Sequence, residues 1–352
     1  MTQREFVGRV ATVLVLAGVA WIVAWFVRQT AEILILLLVS AILASGFAPI
    51  VEWVERWPLP GGRRTPRGVA VFAVYLAVFV GVGGILSLII IPAVTEGRAF
   101  IARLPQELSA VRAWVADLQV RYPFLPNFSD QIAQLPQQIS GLSRYGLTAA
   151  AVAFSFIGGI TAAITVLVFT YYMLVEHAVI KNAFLSLLPP SEQARGSLVL
   201  ARIGTKFGGW FRGQFLLSFT IALAVSIALL IIGMPYPFLL GIIAGLGELV
   251  PLVGLWVGAV VAVLVGLSQP TWRLIATVVF YVVIMNVEPH ILVPRIMSRA
   301  VGMSPLITLI ALLTGIKLLG IVGGLLAVPV AAALQVIVSE IAAEIQNNRA
   351  NG

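Results

Sequence analysis

Eight runs of predominantly apolar residues, each 18 residues or longer, punctuate this chain at 10–27, 33–54, 68–92, 147–175, 207–233, 238–268, 272–290 and 304–345. A run of about 20 apolar residues is what a helix needs to cross roughly 30 Å of hydrocarbon. Lipid offers no partner to a free backbone N–H or C=O, so a spanning segment is a helix or part of a closed barrel. The runs lack the period-two alternation of barrel strands and read as helices. Composition agrees: 60% of the 352 residues are hydrophobic and 10% are charged, against about 45–50% and about 25% in soluble domains. A water-soluble globule and a disordered chain are thereby excluded. The sequence holds no cysteine and two histidines, His177 and His290. No disulfide framework, thiolate metal site or His-ligated metal centre is expected, and no cofactor is implied.

The formal charge of +8 suits loops held at an anionic membrane face better than nucleic acid, which is not expected as a partner. Arg56, Arg63, Arg64 and Arg67 crowd the 55–67 loop, and Lys181, Arg195, Arg202 and Lys206 the 177–206 loop. The positive-inside rule places both loops, with Arg4, Arg9 and the N-terminus, in the cytoplasm. No small-residue cleavage pattern follows run 10–27, so it is expected to be retained as a span. Trp21, Trp25, Trp53 and Trp57 read as interface anchors.

The expected organisation is a scaffold at 1–92, an extracytoplasmic segment at 93–146, a fourth span with a helical elbow at 147–206, a transport core at 207–346 and a tail at 347–352. In the outer segment, Leu104, Leu108, Val111, Val115 and Leu118 recur at helical spacing, as do Ile132, Leu135, Ile139 and Leu142, with Pro123 and Pro126 between. Two amphipathic helices are expected there. Pro189-Pro190 ends one helix of the elbow, and Ser191 can cap the next.

Run 238–268 is too long for one straight span and too short for two. At its centre stands Gly247-Glu248-Leu249-Val250-Pro251-Leu252-Val253-Gly254. Glycine, proline and a carboxylate suit a re-entrant hairpin whose turn is buried in protein or lines water. Run 304–345 repeats the pattern: Pro305 opens it, and Gly315-Ile316-Lys317 through Gly320 interrupts a hairpin at 304–328. A shift of 68 positions superposes Pro237 on Pro305 and Gly247 on Gly315. With the single span 272–290 between them, the hairpins enter from opposite faces, as an inverted repeat requires. The fold class is therefore an all-α polytopic membrane protein of about eight helical segments, two of them broken into hairpins.

Charges within spans cost roughly 2.5–3.5 kcal/mol each on insertion scales, so those retained are candidates for function. Glu248 could bind a cation, a proton or a hydroxylated solute, or cap a broken helix. Lys317 could neutralise Glu248 or snorkel to an interface. Glu288 and Asn286 face the cavity or mark the membrane edge. The candidate site set is Gly247, Glu248, Pro251, Gly254, Asn286, Glu288, Gly315 and Lys317. Gln214 and His290 read as interfacial. No metalloprotease, nucleophile-elbow, phosphate-loop or dinucleotide motif occurs, so an enzyme is not expected.

The series Phe169-Thr-Tyr-Tyr172-Met-Leu-Val-Glu176, Leu187-Leu-Pro-Pro190, Gly208-Gly-Trp-Phe-Arg-Gly-Gln214, Met234-Pro-Tyr236, Gly247 to Gly254, Glu288-Pro…Pro294-Arg295 and Gly302-Met-Ser-Pro305…Gly315…Gly320-Ile-Val-Gly323…Pro329 resembles the autoinducer-2 exporter (AI-2E) family of PerM-like permeases. The resemblance implies a bacterial inner-membrane transporter, a moving unit with two hairpins working as an elevator, and a homo-oligomer, with the pentamer as one form. Members of that family are linked to export of a furanosyl signalling molecule and others to sodium/proton exchange. The first expectation is thus export of small polar organic solutes. The alternatives are a Na+/H+ antiporter and a non-transporting scaffold.

Overall fold

The computed structural model describes residues 14–19, 21–22, 25–26, 28–58, 65–121, 149–251, 253–297 and 302–350. Part of run 10–27 and the second outer helix expected near 132–142 lie outside them. The described residues form helices: α1 (Ala31–Glu55), α2 (Arg67–Arg121), α3 (Ala149–Val175), α4 (His177–Ser186), α5 (Gln193–Ile232), α6 (Pro237–Gly247), α7 (Gly254–Gly266), α8 (Thr271–Val287), a π-helical turn (Glu288–Leu292), α9 (Val293–Met297) and α10 (Pro305–Ala350). Five stretches among them are long and apolar enough to cross a membrane, and α6, α7 and Arg67–Gly81 are shorter apolar helices. The chain is an all-α polytopic membrane protein.

Helix α2 continues unbroken from the third apolar run into the first expected outer helix, passing through Pro92 and Pro105. The boundary placed at 92/93 therefore falls inside one helix. Apolar moment does not mark where a long helix leaves the bilayer, which is why the sequence suggested two pieces.

Helices α1, α2 and α3 share one core of Val51, Ala70, Val71, Val74 and Leu174. Ser40 Oγ donates to Leu36 O of its own helix at 2.7 Å and to Val166 O of α3 at 3.2 Å. Helix α5 is the central post, packing on α1, α6, α8, α9 and α10. Its crossing with α1 is close: a Cβ at Gly208 would lie 2.8 Å from the Ser45 carbonyl carbon. Pro49 has no N–H to give the Ser45 carbonyl, and Arg212 Nη1 reaches the next carbonyl, Gly46 O, at 3.0 Å.

Helix α5 ends in a Schellman motif. Gly233 takes φ 74°, its N–H bonds Leu230 O at 3.1 Å, and Met234 N–H bonds Leu229 O at 2.9 Å. Tyr236 then adopts φ 59°, a left-handed conformation costly for a residue with a Cβ. Pro237 occupies the first turn of α6 with its ring preset for the helix. These residues reverse the chain at the membrane edge and send α6 back inward.

Candidate transport site between two hairpins

Helices α6 and α7 are the arms of the first hairpin. Their approach is set by missing side chains: a Cβ at Gly247 would lie 2.9 Å from Gly254 Cα, and one at Gly258 would lie 2.7 Å from Ala244 Cβ. Neither contact tolerates a larger residue without displacement. The tip is a run of turns, with Leu249 N–H on Leu246 O at 3.2 Å and Val250 N–H on Gly247 O at 3.0 Å. Pro251, half-buried, lies within it.

Helix α10 is also a hairpin. Gly320 breaks it with φ 62° and ψ −142°, a conformation open to glycine alone. A Cβ at Gly315 would lie 2.9 Å from the Gly323 carbonyl carbon. Eight residues along a straight helix span about 12 Å, so the chain has turned back on itself. The arms are Pro305–Leu319 and Ile321–Ala350. Gly247 against Gly254 and Gly315 against Gly323 are the same device, used once in each half.

The two tips meet. A Cβ at Gly324, just past the second turn, would lie 3.1 Å from Val250 Cγ1 of the first.

Glu248 is 1% exposed at that junction. Its N–H bonds Ala244 O at 2.9 Å, and its carbonyl accepts from Gln214 Nε2 of α5. No hydrogen bond of regular geometry reaches either carboxyl oxygen among the described residues, and the nearest donor is the backbone N–H of Leu255. The charged group bearing on it is the Glu288 carboxyl. Glu288 opens the π-helical turn. Pro289 supplies no N–H there, and the widened turn is closed by Val293 N–H on Glu288 O. Single π turns of this kind re-aim side chains in otherwise regular helices.

Among residues 10–343 the chain matches the model of the AI-2E family transporters. It belongs to the AI-2E family. The AI-2E chain is 28% identical to YrrI of Bacillus subtilis over 322 residues, covering 90% of this chain and 88% of that one. It is 27% identical to MT0215 of Mycobacterium tuberculosis over 312 residues (88% and 83%), and 24% identical to PerM of Escherichia coli over 314 residues (86% and 86%). The first two are named for transport and the third as a permease. The AI-2E protein is thus a multi-pass membrane transporter, and its family is one of transporters and permeases.

Not every residue expected at the site of this AI-2E member lies at the tips. Glu248, Gly247, Pro251 and Gly254 share the first, and Gly315 stands against Gly323 in the second. Asn286 is exposed, and its Nδ2 donates to Val282 O of its own helix at 2.7 Å. Its carbonyl lies 2.8 Å from His290 Nδ1. Lys317 is exposed and makes no ion pair among the described residues. It does not neutralise Glu248.

Sequence reasoning missed Gln214, which is 2% exposed rather than interfacial. A signal was available: Gln214, Ser218, Ala222 and Ser226 recur every four residues along α5, a small and polar stripe against which α6 packs. Cβ atoms at Gly241 and Gly245 would lie 2.7 Å from Ala222 O and 2.8 Å from Ser218 O. The hydroxyls of Ser218, Ser226, Thr277 and Tyr281 around this hairpin have no partner among the described residues. Thr165, Thr205 and Thr220 elsewhere close back on their own helices at 2.7–2.9 Å. Buried polar groups are nearly always satisfied, so uncommitted hydroxyls beside an uncommitted carboxyl form a polar lining within apolar surroundings.

Proposed function

We propose that this AI-2E member is a secondary transporter that exports small polar organic solutes of the furanosyl signalling class. In this reading the two hairpins and α8 move as an elevator against α1–α3, and the basic side, with the N-terminus, faces the cytoplasm of a bacterial inner membrane. The meeting of the two glycine-hinged tips beside a buried, unpaired carboxyl carries the reading. Broken helices at corresponding positions of two halves are the sequence and structural pointer to a transporter site. Glu248 and the hydroxyls of α5 and α8 offer acceptors and donors to a hydroxylated ligand. Protein reconstituted in liposomes is expected to carry such a solute, and Glu248→Gln to abolish flux without loss of fold. Unchanged flux in that variant would remove Glu248 from the site.

The neighbouring carboxyls of Glu248 and Glu288 favour a second reading, a Na+/H+ antiporter. Two carboxyls close together in a low-dielectric setting resist double ionisation, which suits exchange of a proton for a cation. Everted vesicles would then show sodium-dependent dequenching of a pH-sensitive dye, abolished by Glu288→Gln. Absence of a sodium response leaves solute export as the reading.

A further inference from the structure

The ends of α1 and α2 form an open-mouthed cavity of about 650 Å³ whose described lining is Glu52, Glu55, Arg56, Thr65 and Arg67. Its described lining carries two carboxylates and two guanidiniums, and they are not equally committed. Arg67 and Glu55 pair at 3.5 Å, and Arg67 Nε donates to Leu174 O at 2.5 Å, which ties that half of the cavity to α3. Glu52 and Arg56 stand one turn apart on the same face of α1 and are both exposed. At that spacing opposite charges commonly pair, yet neither makes an ion pair among the described residues. Among the described residues, one carboxylate and one guanidinium on this cavity thus stand without an ion pair. His177 of α4, on which Glu52 and Glu55 bear, adds little charge at neutral pH: burial, then Arg67 and Lys181, pushes its imidazole below its usual range.

One further observation sets the depth of this cavity. Trp53 and Trp57 each follow one of the uncommitted residues. They are exposed and pack edge-to-face at 4.6 Å. Indoles of this kind settle at headgroup level, so the cavity lies at the depth of lipid phosphates and not out in solution.

We propose that this cavity is a binding site for the headgroup of a zwitterionic primary-amine phospholipid, the phosphatidylethanolamine class. Arg56 takes the phosphate and Glu52 accepts hydrogen bonds from the ammonium. A quaternary headgroup has no N–H to donate to Glu52, and an anionic headgroup leaves Glu52 opposed by like charge. The site is independent of the hairpins and holds whichever solute they carry.

The test is native mass spectrometry of the detergent-purified protein with equimolar phosphatidylethanolamine, its mono-, di- and trimethylated derivatives, and phosphatidylglycerol. Retention is expected to fall with each methyl group, and by about tenfold to the trimethylated lipid, the worth of roughly one hydrogen bond to a charged group. Glu52→Gln is expected to erase the preference among the methylation series, while Arg56→Gln lowers retention of every phospholipid. Both residues are exposed, so both variants should melt as the parent does, and the methylation series on the parent needs no variant. Equal retention across the series, or a preference that survives Glu52→Gln, overturns the proposal. Displacement of the lipid by soluble phosphoethanolamine at like concentration overturns its lipid source.

Discussion

The carboxylate of Glu96 accepts a hydrogen bond from the backbone N–H of Leu239 at 2.8 Å, across 143 positions of sequence. Helix α6 has no side-chain cap of its own, so the long helix α2 supplies one to the first turn of the re-entrant hairpin. Phe100 of α2 packs edge-to-face on Tyr236 at 5.5 Å beside it. Under the proposed elevator motion, the first hairpin must either carry this joint or release it.

Glu96→Ala is expected to destabilise the docked hairpin by about 1 kcal/mol, the usual worth of an N-terminal cap. The joint is also pH-dependent. Burial raises the Glu96 carboxyl above its ordinary 4.5, outweighing the N–H groups of Leu239 and Phe238, which lower it. The docked state thus holds the proton more tightly than a released, solvated one. Docking is fully favoured below pH 4.5 and weakens as pH rises through the raised value. Hydrogen exchange at the Phe238 and Leu239 amides, compared between the parent and Glu96→Gln, checks this. The parent should show an extra loss of protection over that window, and identical profiles would contradict it.

Gly315→Ala and Gly323→Ala should each push the second hairpin apart and cost about 1–3 kcal/mol, the usual range for overpacking. Gly81→Ala is the control, because nothing lies within 4 Å of a Cβ there. It should be neutral or stabilising, by up to about 1 kcal/mol of helix propensity. Melting in detergent reads all three. Equal melting temperatures would mean that the close approach is not maintained.

Both hairpins were legible because their signals are local. Gly247 and Gly254 interrupt an apolar run too long for one span and too short for two, and Gly315 and Gly320 interrupt the long run at 304–345. The cap from Glu96 was not legible, since nothing near Glu96 in sequence announces an open helix end 143 residues away. Nor was Gln214: its place beside a basic loop suggests an interface, and only the packing of α6 on α5 buries it. The widened turn at Glu288 was half visible, because Pro289 forbids a regular bond but does not say how the helix closes around the gap. Lys317 looked like a partner for Glu248 because the 68-residue shift nearly aligned them. Alignment in a repeat places two residues at equivalent turns, not against each other.

Gln214→Leu removes the donor to the Glu248 carbonyl while keeping most of the side-chain volume. An orphaned buried acceptor costs about 1–3 kcal/mol, and the tip that carries Glu248 should loosen. Melting should fall by that amount, and flux should fall with it. A variant that melts and transports like the parent would show that this contact does not position the tip.

Arg195 meets Glu340 at 3.1 Å and Glu344 at 2.9 Å, and Arg202 meets Glu340 at 2.7 Å, joining the start of α5 to the last turns of α10. Glu340→Arg should expose residues 336–346 to protease, and adding Arg195→Glu should restore part of the protection. High salt should narrow the difference between parent and variant, because exposed pairs are screened. Protection that ignores both charge and salt would contradict a role for these pairs.

The most direct measurement uses the absence of native cysteine. Val250→Cys with Gly324→Cys places one thiol on each hairpin tip, and a protease site inserted between α7 and α8 reports whether they are joined. The short approach at Gly324 suits a disulfide, whose Cβ atoms lie about 3.5–4.5 Å apart. Mild oxidation is predicted to hold the two fragments together on a non-reducing gel, and reduction to release them. Fragments that separate after oxidation would contradict the account.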